Sequence, residues 1–144
     1  MMRLSVTTPR GAIVETDIDE ITAPGAVGEF GVLPGHVPMM AALKPGVLTY
    51  RAADHTTTLA VGEGFLQVAP VAGGEKTTDR VLVLVDQAIG ATSIDLTAAK
   101  KEFGETEALL GAWTGELDGT HQELVVRRDW SLAKLGAALR ISAS

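Results

Sequence analysis

The hydrophobic pattern of the chain changes once, close to Asp86, and this change decides what its 144 residues can fold into. Before Asp86, short runs rich in Val, Ile, Leu and Thr recur between Gly and Pro residues, as β-strands do between turns. After it, apolar residues recur at steps of three and four, the period of a helix with one apolar face. We therefore predict an α+β protein in which a β domain of about ninety residues precedes two helices.

Six segments of the N-terminal part have the composition of β-strands. They are residues 3–7, 17–22, 46–51, 56–61, 64–68 and 80–85. The first alternates polar and apolar residues, as a strand with one buried face does. The last, Arg-Val-Leu-Val-Leu-Val, is apolar almost throughout, which predicts a strand that is covered on both faces. Many short strands at this spacing favour a sandwich or a barrel over alternating βαβ units.

The first predicted helix has one apolar face. Its members are Leu96, Ala99, Phe103, Thr106, Leu110 and Trp113. Ser93 and Asp95 both lie where a side chain can accept hydrogen bonds from the free N–H groups of the first helical turn. Residues 115–119, Gly-Glu-Leu-Asp-Gly, then interrupt the pattern. The sequence therefore predicts that this helix begins near residue 95 and ends before Gly115.

A second helix is predicted to begin where Thr120 and Glu123 form the Thr-x-x-Glu pattern of a capping box. Along it, apolar residues are spaced like a coiled-coil seam, which Arg128 interrupts. These residues are Val125, Leu132, Leu135 and Leu139. The short break before this helix predicts an antiparallel hairpin. Because helices of this length are marginal alone in water, the hairpin needs a surface to pack on, either the β domain or a partner.

The composition argues against several classes of protein. The chain has no cysteine, which removes disulfide frameworks, thiolate zinc sites and cysteine nucleophiles and fits a reducing compartment. Its formal net charge of -6 argues against nucleic-acid binding, which needs a basic face. No stretch approaches the roughly 20 apolar residues of a membrane-spanning helix, and residues 1–5 lack the apolar region of a secretory signal. We therefore expect a soluble protein of the cytoplasm.

A search for reaction chemistry finds no catalytic motif. The histidines, His36, His55 and His121, are far apart in the sequence, and none belongs to a His-Glu-x-x-His pattern. No Gly-x-Ser-x-Gly elbow is present. Residues 73–78 fail as a phosphate-binding loop because Glu75 takes the place of the glycine that precedes the lysine, so we interpret them as a polar hairpin turn. We expect no catalytic site, no metal and no cofactor.

Residues 28–38, Gly-Glu-Phe-Gly-Val-Leu-Pro-Gly-His-Val-Pro, are dense in conformationally special residues. Gly31 and Gly35 permit backbone angles that other residues avoid, while Pro34 and Pro38 fix φ and carry no N–H donor. One interpretation is a tight set of turns between strands. The other is a rigid loop that presents a side chain such as His36 at a fixed place on the surface.

Residues 28–36, read together with Leu-Lys-Pro-Gly at 43–46 and Gly-Phe-Leu-Gln-Val at 64–68, resemble the epsilon subunit of F-type ATP synthases. The order of parts is also similar, since members of that family have an N-terminal antiparallel β-sandwich followed by an antiparallel α-helical hairpin. The resemblance implies a sandwich over residues 1–90 and a regulatory two-helix hairpin over residues 91–144.

The resemblance implies a mechanical function without catalysis. Family members ride on the central stalk, where they bind the gamma subunit and rest on the membrane rotor ring of c subunits. They couple ion-driven rotation to ATP synthesis, and their hairpin can extend toward the α/β catalytic subunits and inhibit ATP hydrolysis. The implied location is the cytoplasmic face of the bacterial inner membrane, peripheral and held there through the complex.

The resemblance assigns five residues by position to the interface with the c-ring and gamma: Glu29, His36, Met39, Met40 and Leu43. Glu29 and His36 fall in the loops that face the rotor ring and gamma. For the three apolar residues, contact with gamma and a place in the core of the sandwich both stay open.

The second helix is basic within an acidic protein. Its basic residues are Arg127, Arg128, Lys134 and Arg140. In the family this helix meets an acidic segment of the catalytic β subunits, and opposite charge favours that encounter. The alternative is a helix face that water solvates.

Two features depart from the family's pattern. Some members bind ATP at an Ile-Asp-x-x-Arg-Ala motif, which here keeps Ile94 and Asp95 but has Ala98 in place of the arginine. Without the guanidinium little holds phosphate, so we interpret Asp95 as a helix cap. Residues 71–80 also make the last hairpin of the β domain longer than is usual in the family.

Two readings from other classes stay open beside the resemblance. The chain can be a free-standing β-sandwich binding module whose helices cover one face, which would remain a monomer with a stable hairpin. It can also be a small enzyme whose site is assembled only by folding, which would require a pocket of converging polar groups.

Overall fold

The structure is a computed structural model that describes residues 1–73 and 76–142. Within those residues the chain forms β1 (Met2–Thr8), β2 (Gly11–Ile18), β3 (Glu20–Gly25), β4 (Gly28–Val32), β5 (Met39–Leu43), β6 (Gly46–Ala52), β7 (His55–Val61), β8 (Gly64–Gly73), β9 (Lys76–Val85), β10 (Ala88–Gly90), a 3₁₀ turn (Ala91–Ser93), α1 (Leu96–Gly111) and α2 (Gly119–Ser142). The predicted fold class, strands followed by a pair of helices, is confirmed.

The strands form one continuous ladder in the order β10-β7-β6-β3-β5-β8-β9-β1-β2, with β4 paired to β3. Neighbouring strands run antiparallel except β1 and β9, which are parallel. Strand β3 joins the two halves of the ladder, because it pairs with β6 near its start and reaches β5 only at Gly25, opposite Leu43. The two halves fold over each other at this junction into a sandwich.

One hydrophobic core lies between the two layers. Its fully buried members with the largest side chains are Met2, Leu4, Val6, Ile18, Ile21, Val32, Leu43, Leu48, Val61, Leu66, Val68 and Val81. Met2, Leu4 and Val6, which alternate along β1, belong to this set, as a strand with one buried face requires. Both halves of the ladder contribute residues to this cluster, so each half depends on the other to bury its apolar side chains.

Two of the strand predictions are wrong in an informative way. Residues 17–22 are not one strand, because the chain bends at Asp19, whose N–H donates to the carbonyl of Arg51, and β2 ends where β3 begins. Strand β9 is not covered on both faces, since Leu84 is 47% exposed. The long hairpin over 71–80 consists mainly of paired strand, with Gly73 opposite Lys76. Its tip, Gly74 and Glu75, lies outside the described residues.

The two helices begin at aspartates. Asp95 caps α1, because its Oδ1 accepts from the N–H of Ala98 at 3.0 Å, so this predicted cap is confirmed, whereas Ser93 lies in the 3₁₀ turn. Helix α2 is capped by Asp118, whose Oδ1 accepts from the N–H groups of Thr120 and His121. The capping box predicted at Thr120 is therefore wrong, because a carboxylate two residues earlier already satisfies the first N–H groups.

Helix α2 packs on β6 and β7, and α1 packs on α2. Small side chains dominate the contact between α2 and the sandwich: Ala60, Ala91, Ala133 and Ala137 are buried together, with Val47, Ile89, Ile94 and Trp130 partly buried around them. A Cβ on Gly136 would lie 3.1 Å from Val47 Cγ2, so the backbone of α2 approaches the sheet closely. Such a contact buries less apolar area than the sandwich core does.

The heptad seam predicted for the second helix is only partly right. Leu135 is buried, but Leu132 is 51% exposed and Leu139 is also exposed. The buried positions of α2 are instead mostly small, because the helix uses its alanines to approach the sheet. A domain boundary at residue 90 stays a prediction.

We expect Leu48→Ala to lower the free energy of unfolding by about 2–5 kcal/mol, because it leaves a cavity between the two layers. The matched control is Leu117→Ala, which truncates an exposed leucine between the helices and should change stability by less than about 0.5 kcal/mol. Urea unfolding of both variants measures the difference. Equal losses would contradict the placement of Leu48 in the core.

Candidate functional site

A loop over residues 33–38, which we call the docking loop, joins β4 to β5 and begins with a type II turn. Pro34 occupies the second position of the turn, Gly35 follows with φ of 84°, and the N–H of His36 donates to the carbonyl of Leu33 at 3.1 Å. This is the geometry that a Pro-Gly pair favours. The interpretation of 28–38 as turns is thus right for this loop, while residues 28–32 form a strand that the pattern did not reveal.

His36 is held within the docking loop. Its Nδ1 lies 2.8 Å from the carbonyl oxygen of Val37. Because a carbonyl oxygen can only accept, Nδ1 carries the hydrogen, and in the neutral ring Nε2 keeps a lone pair for an external donor. The His36 side chain is half-buried, so it has a fixed position on the surface.

Glu29 and His36 lie at opposite ends of β4. Glu29 is exposed and pairs with Pro24 near the β3–β4 turn, whereas the docking loop begins after Val32 at the other end of the strand. A strand rises about 3.3 Å per residue, so the length of β4 separates the two. Glu29 shares a groove of about 490 Å³ with Phe30 and Met39. The structure therefore groups Glu29 with Met39 and not with His36.

The three apolar residues of the predicted interface have different environments. Leu43 is 2% exposed and belongs to the sandwich core, so of the two alternatives, contact with gamma or a place in the core, the structure favours the core. Met39 is half-buried against the same core. Met40 is 65% exposed. Of the three, Met40 is the one whose side chain is fully available to another protein.

Met40 belongs to an apolar surface that the sequence reasoning did not identify. Phe65 is 54% exposed, and Leu84 of the neighbouring strand lies directly opposite it. Met40 is on the same side of the sheet, because Ala42, two residues on in β5, is the register partner of Phe65. We call Met40, Phe65 and Leu84 the outer apolar face. The signal in the sequence was that the outward positions of β9 are also apolar, but we interpreted this as a strand buried on both faces.

The basic residues of α2 are engaged by carboxylates of α1. Glu102 lies 3.5 Å from Arg127 Nε through Oε1 and 3.7 Å from Lys134 Nζ through Oε2. Glu107 Oε1 lies 3.6 Å from Arg128 Nε. Lys134 also sits 5.6 Å from the centre of the Trp130 ring, within reach of a cation–π contact. These residues are therefore paired along the seam between the helices, and not only solvated.

Arg140 differs from the other basic residues of α2. It is exposed in the last turn of the helix, beyond the part that faces the carboxylates of α1. A cation in the last turn interacts favourably with the helix dipole, which is sufficient to account for its position.

The two residues of the predicted nucleotide site have structural roles. Asp95 caps α1, and Ile94 packs in the apolar cluster between the hairpin and the sandwich. A cleft of about 550 Å³ between α2 and the sandwich, which neither residue lines, is bordered by Glu63, Asp86 and Asp129 as well as Lys44. Carboxylates predominate among its charged groups, which disfavours the phosphates of a nucleotide.

Metal sites and membrane spans were sought in residues 1–73 and 76–142. No group of three or more His, Asp or Glu side chains in this part of the chain is placed to hold a metal ion. Neither α1 nor α2 combines the length and the apolarity that crossing a bilayer demands.

Comparison with known proteins gives matches in both parts of the chain. The family ATP synthase, Delta/Epsilon chain, beta-sandwich domain matches residues 1–91. An ATP synthase epsilon chain from Anaeromyxobacter sp. (strain K) is 39% identical over 139 residues, which cover 96% of this chain and 98% of the relative. ATP synthase epsilon chain 2 of Syntrophotalea carbinolica is 41% identical over 109 residues, covering 76% of this chain and 73% of that one.

A solved structure has the same fold. A chain from the Euglena gracilis mitochondrial ATP synthase, in the OSCP/F1/c-ring assembly, superposes with a TM-score of 0.76 at 19% sequence identity. The match covers 99% of this chain and 81% of that chain. At this level of identity the likeness shows the fold alone, and it extends through sandwich and hairpin together.

We expect Glu102→Gln to loosen the hairpin, because one carboxylate serves both Arg127 and Lys134. Surface ion pairs contribute about 0.2–1 kcal/mol each and weaken with salt, so amide exchange in α1 should rise modestly and lose part of its salt dependence. The matched control is Glu105→Gln, whose ion pair with Lys101 lies within α1. If the two variants exchange alike, Glu102 does not hold the helices together.

Proposed function

The chain belongs to the ATP synthase epsilon-chain family, and from this premise we propose that it is a non-catalytic rotor subunit that couples ion-driven rotation to ATP synthesis. The observation that carries the proposal is the match to an epsilon chain over 96% of this chain, so that sandwich and hairpin are both included. Gamma, the c-ring and the α/β catalytic subunits are then its partners. Its place is peripheral to the membrane, held through the complex on the cytoplasmic face of the bacterial inner membrane.

The outer apolar face supports a contact with gamma. Met40, Phe65 and Leu84 keep roughly half or more of their surface in water in the isolated chain. Each Å² of apolar surface removed from water contributes about 25 cal/mol, so covering this face favours association. Exposed aromatic and methionine side chains of this kind are enriched in the centres of protein interfaces. We assign this face, with the docking loop beside it, to gamma.

The Glu29 end of the sandwich supports a second contact. Because Glu29 and His36 lie at opposite ends of β4, one flat partner surface does not cover both. Glu29 is exposed beside the β3–β4 turn, whose tip carries the fully exposed Val27. We assign this end to the c-ring and His36 to gamma.

The contacts of the hairpin support an inhibitory role. In the docked arrangement, carboxylates of α1 engage Arg127, Arg128 and Lys134, and small side chains connect α2 to the sandwich. The buried residues of the contact with the sandwich are all alanines, fewer and smaller than those of the core, so detaching α2 costs less than opening the core. Release exposes three basic groups, which then favour an acidic segment of the catalytic subunits. The docked hairpin is thus the uninhibited form.

We expect Phe65→Ser to weaken binding to the cognate gamma subunit about tenfold or more, since it removes a central aromatic from the outer apolar face. Thermal stability should change little because Phe65 is half-exposed. The matched control is Ile13→Ser, which removes a comparably exposed apolar side chain from the edge strand β2. Titration calorimetry measures the affinities. Equal affinity of the two variants would remove the face from the interface, and no binding by the unaltered chain would favour the free-standing module.

We expect a chain of residues 1–94 to raise ATP hydrolysis by the assembled enzyme, because the basic helix that meets the catalytic subunits is gone. Assembly should persist, since the core between the two layers contains no residue of α1 or α2. Hydrolysis rates of enzyme assembled with full-length or shortened chain, at matched stoichiometry, provide the measurement. Unchanged hydrolysis in intact assemblies would show that the hairpin is not an inhibitor.

A further inference from the structure

Among the residues that the structure describes, one long-range hydrogen bond holds the docking loop against the sheet. The N–H of Gly35 donates to Asp79 Oδ2 at 2.6 Å, across 44 residues of sequence. This distance is at the short end for an N–H donor, as hydrogen bonds to a carboxylate are. Two further hydrogen bonds connect residues within the loop, His36 to Leu33 and His36 to Val37.

The Gly35 amide is the part of the turn that decides its type. Type I and type II turns share the same first and last residues and differ by a flip of the peptide between the two central ones. Here that peptide joins Pro34 to Gly35, so a carboxylate that accepts from the Gly35 N–H fixes the orientation of the peptide plane. With this peptide fixed and φ of 84° at Gly35, the backbone at His36 has one orientation.

Asp79 lies at the base of the longer hairpin, where β9 begins to pair with β1. Along β9 it is two residues from Val81 and four from Val83, both buried, so its side chain lies on the same, core-facing side of the strand, at the rim of the sandwich. Its register partners are Met2 of β1 and Pro70 of β8. At this rim position Asp79 is only partly buried, and its carboxylate accepts a hydrogen bond from the Gly35 N–H.

We propose that Asp79 is the positioning residue of the docking loop: its carboxylate fixes the Pro34–Gly35 peptide and thereby holds His36 and the neighbouring exposed Leu33 and Val37 in the geometry that binds gamma. This inference rests on the proposed function. Fixing the loop before the encounter lowers the entropy that binding must overcome.

The first arm of the test measures the contact in the free, full-length chain. Asp79→Ala should raise hydrogen exchange of the Gly35 amide about tenfold or more, because a hydrogen bond to a charged acceptor is lost. Amides of the β5–β8 ladder should be unaffected. Asp79→Asn keeps an accepting oxygen and should restore most of the protection. The control Asp17→Ala removes an exposed carboxylate that pairs with Arg3 on β1 and should leave Gly35 unchanged.

The second arm measures affinity of the same variants for the cognate gamma subunit. Asp79→Ala should bind about tenfold more weakly, Asp79→Asn should recover most of that loss, and Asp17→Ala should bind as the unaltered chain does. Thermal unfolding is followed in parallel. A purely structural role for Asp79 would lower the unfolding temperature without a selective loss of affinity at temperatures where all variants are folded.

The outcomes separate the two proposals. Faster Gly35 exchange together with weaker gamma binding, both reversed in Asp79→Asn, supports the inference. Unchanged Gly35 exchange overturns it. Faster exchange with unchanged affinity, in a chain whose Phe65→Ser variant binds poorly, also overturns it and leaves the proposed function intact. Failure of the unaltered chain to bind gamma overturns the proposed function itself.

Discussion

The close approach of α2 to strands β6 and β7 determines how the two parts of the molecule are connected. Alanines and Gly136 bring the helix backbone near the sheet, where larger side chains would hold it away. The same choice of residues limits how much apolar area the contact removes from water. The sandwich has its own core of large side chains and does not share it with the hairpin. A stable body and a more weakly attached arm follow directly from this division.

The two outer faces of the sandwich therefore have different roles. Helix α2 covers β6 and β7, while β5, β8 and β9 expose Met40, Phe65 and Leu84 to water. Charge is also involved, because Arg127, Arg128 and Lys134 of α2 are paired with carboxylates of α1 as long as the hairpin is docked. The proposed function uses both features: the outer apolar face binds gamma, and β6 and β7 carry the hairpin that detaches.

Local signals in the sequence predicted the local features of the fold. The alternation in β1 and the cap at Asp95 need no information from elsewhere in the chain, and the structure has both. The break at Asp19 was not predictable, because it depends on a carbonyl of β6. Strand β4 was missed because its two glycines favour turns, and β5 was missed because its Met-Met-Ala-Ala-Leu run has no β-branched residue and no alternation. The cap of α2 was misplaced because Asp118 and Thr120 are both good caps two residues apart. For the site, exposure of Phe65 and Leu84 depends on which face the hairpin covers, and no short stretch of sequence encodes that.

The parallel pairing of β1 with β9 has a consequence for the order in which the chain folds. Met2 finds its partner Asp79 across nearly the whole length of the sandwich, and parallel strands have no tight turn to bring them together. Closing so long a loop costs conformational entropy, and this cost precedes any stabilisation from the hydrogen bonds between β1 and β9. Hairpins β6–β7 and β8–β9 have short connections and form early by comparison. During synthesis, β1 therefore cannot complete its pairing within the sheet until β9 has left the ribosome.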